Sequence, residues 1–592
     1  MRARLAAIGL VALLGGCATV PVERTPAGPA VAPVRINLIA FNDFHGNLQP
    51  PRQAIAAPGA AGSDVQVPAG GAAYLATAIR TLRESNPNSL VVSAGDLISA
   101  SPLVSALFLD EPTIHAMNLI GLDYNAVGNH EFDRGRAELL RIAKGGCERN
   151  TQREPCALDP DFPGARFTYL AANVITETGQ PLLPAYGIRT FGSGAGEVKV
   201  ALIGMTLEGT PAVVTPTGIA GLSFRDEADT VNALIPRLEA EGADVIVVLV
   251  HEGATTDAGY NARTCEGLRG DLLPILSRLS PKVDVVVSGH THAAYICDHG
   301  EIDPERRFLL TSAGQYGTLL THIRLDVDPA TGTVVSRQAD NLIVQGEGFS
   351  SSRGTVATTD LYPLYAADPE VAALVARYAA AAEPRAARVV GQLSGPATHN
   401  RSGVGETILG NLIADAQLAA TRSPEHGGAQ IAFMNPGGVR AEIVPAANGD
   451  VTFGQLFATQ PFGNMLVVKS FTGAQIKALL EQQWASGPNS PAQPMVLMPS
   501  AGFTYSYDLS RPAGQRIVEA SLDGQPLRDE QIYRVTMNGF LASGGDSFTI
   551  FKDGTDQLGG PQDIDALEAY IAANRPLALP ATNRIRNLTP QP

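Results

Sequence analysis

Short runs rich in Val, Ile, Leu and Ala recur through the first 345 positions, at 36–41, 90–94, 124–127, 245–250 and 283–287 among others. Their length and their glycine or polar boundaries predict buried strands rather than helices. The strand pattern continues to about Val344, where Gln345-Gly346-Glu347-Gly348 and Ser350-Ser351-Ser352 break it. Residues 368–383 then predict an Ala-rich helix with an acidic start, stopped by Pro384. Periodicity resumes near Arg388, with a helix opening around 406–415 and strands at 429–434 and 465–471. The pattern predicts an α/β chain in two globular parts: residues 34–345, a linker with a helix over 346–387, and a smaller part over 388–592. Neither half contains a tandem repeat.

Each of the five runs ends beside a good metal ligand. Run 36–41 leads to Asp43 and His45, run 90–94 to Asp96, and run 124–127 to Asn129-His130-Glu131-Phe132-Asp133. Run 245–250 ends on His251, and run 283–287 leads to His290 and His292. Ligands at strand ends gather on one rim of a sheet, where α/β proteins place their sites. A mononuclear catalytic site needs about three protein ligands. Asp43, His45, Asp96, Asn129, His251, His290 and His292 therefore predict two divalent ions. Carboxylate, amide and imidazole donors without thiolate suit Zn, Mn or Fe. One carboxylate must bridge if the ions sit roughly 3.5–4 Å apart. Such a pair lowers the pKa of water and polarises phosphoryl oxygens, which fits in-line displacement at phosphorus.

With Gly-Asn-His-Glu at 128–131 and Gly-His-Thr-His at 289–292, the chain resembles the calcineurin-like metallophosphoesterases. Within them it is most similar to the two-domain 5′-nucleotidases, the group of periplasmic UDP-sugar hydrolase and ecto-5′-nucleotidase. The resemblance implies an N-terminal αββα sandwich joined by a helical linker to a smaller α/β C-terminal domain. It implies one metal held by Asp43, His45 and His292, another by Asn129, His251 and His290, and Asp96 bridging. His130 and Asp133 share a helical face by their spacing, and a carboxylate orients and charges an imidazole. The resemblance assigns this pair to transition-state stabilisation or leaving-group protonation.

The second part has no metal-ligand cluster. It has Gly-flanked loops at 435–440, 461–464 and 538–546, and two phenylalanines on such loops can sandwich a flat base. The resemblance implies Phe462 and Phe540 as that clamp, Asp546 on ribose hydroxyls, and Asn435 and Arg440 toward the phosphate. One position departs from the family: the arginine three residues before the equivalent of Glu406 is Gly403 here. Arg401, two residues further back, is the expected substitute. With metals on one part and the base clamp on the other, closure about the 346–388 segment is expected. His115 is expected to be a core histidine.

The N-terminus changes the picture of where the chain works. A basic start at Met1–Arg4 precedes an apolar stretch over 5–14, too short to span a bilayer and matching a secretory signal. Leu14-Gly15-Gly16-Cys17 looks like a bacterial lipobox, which implies a signal peptide over 1–17 and a lipidated Cys17. Ala18 in the next position resembles the pattern for outer-membrane delivery in Gram-negative cells, facing the periplasm. Residues 18–33 read as a flexible tether. Setting Cys17 aside from the five cysteines leaves four, which allow three pairings. Cys147 with Cys156 would enclose a polar loop, and Cys265 with Cys297 would clip the segment around His290 and His292. An oxidising compartment would preserve such bridges.

At 592 residues the chain exceeds what one core supports. A formal charge of −15 argues against non-specific nucleic-acid binding. The expected membrane contact is the lipid at Cys17 alone, and the oligomeric state is open. The expected activity is phosphate release from 5′-nucleotides by a dinuclear metal centre, with nucleotide as the partner. The alternatives are a 2′,3′-cyclic-nucleotide phosphodiesterase with 3′-nucleotidase activity, UDP-sugar cleavage, a thiosulfate-ester hydrolase, and a non-catalytic binding lipoprotein. Phe462 and Phe540 argue against the thiosulfate ester, which has no base to stack.

Overall fold

The computed structural model describes residues 32–590 apart from positions 152, 215 and 352–353. The expected signal peptide, Cys17 and most of the tether lie outside the described residues. Two six-stranded sheets form the N-terminal domain. In the first, Val34–Phe41, Ser89–Ser93, Tyr124–Ala126 and Thr168–Leu170 run parallel, Leu319–Asp328 is antiparallel beside Val34–Phe41, and Thr333–Ile343 is antiparallel beside Leu319–Asp328 at the edge. In the second, Val198–Thr206, Val245–His251, Val285–Ser288 and Leu309–Ala313 are parallel, flanked by antiparallel Tyr186–Phe191 and Ala294–Asp298.

Strand alternation sorts the side chains into layers. Ile36, Leu38, Leu90 and Val92 of the first sheet meet Val200, Leu202, Val247 and Leu249 of the second in one buried cluster. The opposite parity, Ile39, Phe41 and Val91, packs under the helices Ala72–Ser85 and Glu111–Ile120. Ile203, Val248 and Val286 pack under Glu227–Ala240. The result is four layers, αββα. Strands covered on both faces need continuous apolar runs rather than alternating ones, which is why the sequence shows them that way.

In the C-terminal domain a five-stranded sheet runs Met498–Pro499, Ile431–Met434, Ile532–Asn538, Met465–Thr472, Thr555–Gln562. Helices Ile408–Thr421 and Asp563–Ala573 cover one face. Helix Gly473–Glu481 and a second sheet containing Phe503–Tyr507 and Ile517–Leu522 cover the other. Leu103 and Ala106 of the N-terminal domain enter the first of these clusters, so the two domains share a packed contact.

The linker helix spans Pro369–Ala386, capped by the Asp368 side chain, which accepts from the N–H groups of Glu370 and Val371. Pro384 does not stop it, contrary to expectation. In the last turn a proline removes a single backbone bond and its ring meets one carbonyl, so the helix tolerates it. The helix buries Val371, Tyr378 and Ala382, and Tyr378 lies edge-on to Phe108 at 4.9 Å. It is docked on the N-terminal domain, and only Ala387 and Arg388 separate it from the strand Val389–Gln392. Disulfides join Cys147 to Cys156 and Cys265 to Cys297, one of the three pairings open to the sequence.

Candidate metal centre and substrate cleft

All seven candidate ligands lie at the same rim. Asp43 and His45 follow Val34–Phe41, Asp96 follows Ser89–Ser93, and Asn129 follows Tyr124–Ala126. His251 is the last residue of its strand, and His290 and His292 follow Val285–Ser288. Five of them have left-handed backbone, with φ of 48° at Asp43, 45° at His45, 50° at Asp96, 68° at His290 and 58° at His292. That conformation costs about 1–2 kcal/mol per non-glycine residue, and strain of this kind collects at functional sites. It turns the chain sharply off each strand at the rim.

The ligand atoms of Asp43, His45 and His292 lie within 4.8 Å of one another, as do those of Asp96, His251 and His290. Asp96 links the two groups: its Oδ2 is 3.0 Å from His251 Nε2 and 3.6 Å from His45 Nε2. Asn129 Oδ1 is 3.1 Å from His251 Nε2. His292 Nε2 is 3.4 Å from Asp43 Oδ1 and 3.3 Å from His45 Nε2.

The hydrogen bonds on the far side of the rings test whether this set fits cations. His45 Nδ1 donates to the Ser99 carbonyl at 2.9 Å, and His251 Nδ1 to the Ala94 carbonyl at 2.8 Å. Carbonyls only accept, so each ring, when neutral, presents an Nε2 lone pair to carboxylate and amide oxygens. Such converging lone pairs repel unless positive charge lies between them, the arrangement that holds metal-binding histidines. Burial keeps His45 neutral, with its pKa lowered to about 3, and His290 is lowered to about 4 by burial and by His251. At His251 burial is outweighed by Asp96 and Asp43, which push its pKa up to about 10. In the protein alone, a proton there does what a cation would do. The donors fit two divalent ions. Two glycines make the approach possible: a Cβ on Gly128 would lie 2.2 Å from Asp96 Oδ1, and one on Gly95 2.6 Å from His251 Nδ1.

His130 stands beside this centre. It opens a short 3₁₀ turn, His130–Phe132, in which residues three apart eclipse, and its Nδ1 is 2.7 Å from Asp133 Oδ2. Its backbone N–H donates to Asp96 Oδ1 at 2.9 Å. Burial opposes a charge on the ring, but Asp133 and Asp96 overcome it and raise its pKa.

The C-terminal domain closes over this side. Phe462 lies nearly parallel to the His130 ring, at 17° and 5.8 Å, and the Arg440 guanidinium is 6.0 Å from the Phe462 centroid. One cleft is lined by Asn129, His130, Asp133 and His290 from the first domain and by Asn435, Arg440, Phe462, Phe540 and Asp546 from the second. Asn435 Nδ2 donates to Asp546 Oδ2 at 2.7 Å, and Asn538 Nδ2 donates to Asn435 Oδ1 at 2.9 Å. Burial pushes the Asp546 carboxyl up to about 6, against the opposing bond from Asn435. Arg401 lies elsewhere, in an adjoining hollow with His292, Tyr316 and His399 that also reaches Arg440.

Residues 36–294 match the calcineurin-like phosphoesterase family, and residues 389–553 match the 5′-nucleotidase C-terminal domain. The chain is 30% identical over 581 residues to the cell wall protein Lmo0130 of Listeria monocytogenes, covering 93% of this chain and 69% of that one. The chain belongs to this two-domain 5′-nucleotidase family. It is a metal-dependent phosphoesterase. The endonuclease YhcR of Bacillus subtilis is 29% identical over 574 residues, but the chain spans only 41% of its length. The crystal structure of a 5′-nucleotidase precursor from Thermus thermophilus superposes with a TM-score of 0.71 at 26% identity, covering 94% of this chain and all of that one.

Within this 5′-nucleotidase family chain, three contributors to the site escaped the sequence reasoning. The Glu131 carboxylate accepts from the N–H groups of Asp96 (3.0 Å), Leu97 (2.8 Å) and Gly128 (2.6 Å), pinning two ligand turns together. Burial and Asp96 push its pKa up to about 7. Asn42 donates to Asp43 Oδ2 and to the Gly314 carbonyl, each at 2.7 Å. Asn538 braces Asn435. Glu131 and Asn538 sit inside motifs that stood out, but nothing in spacing says that a side chain will bond to a distant turn. His115 lies outside the site, 3.2 Å from Asp159 and edge-on to Phe162.

Proposed function

We propose that this phosphoesterase hydrolyses 5′-nucleotides to nucleosides and phosphate, with two divalent cations such as Zn or Mn. The observation that supports this is the single cleft in which the metal-ligand groups of one domain face Phe462, Phe540 and Asp546 of the other. Asp43, His45 and His292 hold one cation, Asn129, His251 and His290 the other, and Asp96 is shared. Bound there, the cations supply Lewis-acid polarisation and lower the pKa of water. His130, charged and oriented by Asp133, donates to the leaving oxygen or steadies charge on the phosphoryl group. Arg440 and Asn435 hold the phosphate end, Asp546 accepts from ribose hydroxyls, and Phe462 with Phe540 stacks the base. Arg401 reaches the phosphate from the adjoining hollow.

The domain limits proposed from sequence, 34–345, 346–387 and 388–592, go with this reading, as does closure about the 346–388 segment. Relatives that include a cell wall protein support export. The proposed signal peptide over 1–17 and lipid on Cys17 would place the enzyme on the outer membrane facing the periplasm. Among the described residues, no helix is long and apolar enough to cross a membrane.

The test is phosphate release with added Mn²⁺ or Zn²⁺ from AMP, 3′-AMP, 2′,3′-cyclic AMP and UDP-glucose, each with an EDTA control. UDP-glucose is also scored for UMP. Chelator-sensitive preference for AMP is expected. Preference for the cyclic or 3′ substrate would transfer the function to a cyclic phosphodiesterase with the same centre. No turnover with both metals bound would sink the nucleotide reading.

A further inference from the structure

We propose that Lys469 is a positioning residue for the nucleoside, tying together the two ends of the loop that carries Asp546 and follows the short helix of Phe540. The inference rests on the reading of those two residues as nucleoside contacts. Lys469 lies in the interior strand Met465–Thr472, and its side chain faces the side on which Val467 and Phe471 join the apolar core. Alternation calls for an aliphatic residue there. Instead a lysine is 6% exposed, and its Nζ donates to the carbonyls of Ala542 at 3.0 Å and Phe551 at 2.9 Å.

Those carbonyls bracket the loop. Ala542 ends the short helix Gly539–Ala542, which contains Phe540, and Phe551 lies in the 3₁₀ turn Thr549–Asp553. Between them the chain passes through left-handed backbone at Asp546 and Ser547, with φ of 52° and 63°. The outgoing chain crosses directly over the lysine, since a Cβ on Gly554 would lie 2.8 Å from Lys469 Cβ. A buried ammonium is unfavourable unless its donors are satisfied, and bonds from a charged donor to carbonyls are the stronger kind. Burial lowers the Lys469 pKa, with Asp553 opposing.

The loop tip is held separately. Asn489 Nδ2 donates to the Asp546 carbonyl at 3.0 Å, and Ser486 Oγ to the Ser547 carbonyl at 2.7 Å. Lys469 therefore fixes the stem while its neighbours fix the tip. Phe540 packs on Gly545, where a Cβ would lie 2.4 Å from the ring, so movement of the stem moves the proposed base platform with the proposed ribose acceptor. The metal rim, on the other domain, has no share in these bonds.

The test is steady-state kinetics of the metal-loaded full chain on AMP and on glycerol 2-phosphate, which has no base or ribose. In Lys469→Met the KM for AMP is expected to rise about tenfold, the scale of one charge-assisted hydrogen bond, with kcat little changed. Glycerol 2-phosphate kinetics should stay at the wild-type values, and Lys469→Arg, which keeps the charged donors, should recover most of the AMP affinity. Equal losses on both substrates, or an unchanged KM for AMP, would overturn the proposal. If Lys469→Met does not fold, Lys469→Gln replaces it, and its amide must give an intermediate, AMP-specific rise in KM or the proposal fails. Wild-type protein with no preference for AMP over glycerol 2-phosphate would remove the nucleotide reading and this inference with it. A preference for AMP that is undiminished in Lys469→Met removes this inference alone.

Discussion

The metal rim and the nucleoside platform are built in opposite ways. At the rim every candidate ligand sits at the end of a buried strand, so sheet topology delivers the side chains and hydrogen bonds to backbone only trim their orientation. On the platform the side chains sit on loops, and their placement comes from bonds between side chains and distant backbone or side-chain groups, such as Asn435 to Asp546 and Lys469 to Ala542. The difference teaches that the two halves should fail differently. Damage to the rim should disable every phosphate ester, whereas damage to the platform should reach only substrates that carry a nucleoside.

The largest effect belongs to Asp96, which faces His45 and His251 at once. Asp96→Asn is expected to lower kcat/KM on AMP and on glycerol 2-phosphate by more than about a thousandfold, the scale of lost metal-ion catalysis. Metal analysis by mass spectrometry should show depleted occupancy, and EDTA should reproduce the loss in wild-type protein. Retained metal with retained activity would contradict the shared-ligand role. Next comes His130→Ala, expected to reduce kcat about a hundredfold on both esters, within the range for a lost general acid, while both metals stay bound. A loss confined to AMP would move His130 from the rim to the platform, since its ring also lies against Phe462.

The same contrast explains what the sequence made legible. Buried strands announce themselves as apolar runs, and a ligand within a few residues past each run must lie at the rim, so all seven rim residues could be read before any coordinates. Runs apolar on both faces require each sheet to be covered twice; that two such sheets stack on each other was implied by the resemblance alone. The left-handed backbone at Asp43, His45, Asp96, His290 and His292 was not legible, because no residue type there favours it strongly and only tertiary packing enforces it. Glu131 and Asn42 were hidden for a related reason: their partners are groups on turns that meet only after folding. On the platform Phe462 and Phe540 were suggested by resemblance and glycine context, and Arg401 by its proximity to Gly403; Arg401 lies in the neighbouring hollow, which also holds His292 and Arg440. The Pro384 expectation failed because a rule about helix interiors was applied to a last turn.

A smaller effect sharpens the platform side. Phe462→Ala is expected to raise the KM for AMP about tenfold, as base–aromatic stacking is worth about 1–3 kcal/mol, with little change on glycerol 2-phosphate. Because Phe462 also touches His130, kcat is the discriminating quantity. Equal damage to both esters would mean that the phenylalanine serves chiefly to hold the histidine, and the base clamp would then fall to Phe540 alone.

The smallest effect is a pH dependence confined to the nucleoside. Burial holds the Asp546 carboxyl at about 6, and the bond from Asn435 opposes the shift. Above that value the group is an anion able to accept from ribose hydroxyls. Below it one oxygen carries a proton, and acceptance from both the substrate and Asn435 weakens. The KM for AMP should therefore rise roughly threefold from about pH 7 to about pH 5, while that for glycerol 2-phosphate does not share the AMP-specific component. Titration of Asp546 does not itself promote unfolding in this window. A carboxyl whose folded pKa is raised binds its proton more tightly in the folded state, so its contribution to stability is present at low pH and is lost as pH rises through about 6. Acidification across that window thus favours the fold through this group even as it weakens the nucleoside contact. The melting temperature measured beside the kinetics separates the two, and Asp546→Asn, which cannot titrate, should flatten the AMP-specific component. A component that persists in Asp546→Asn would assign the titration to another group in the cleft and leave the ribose contact without support.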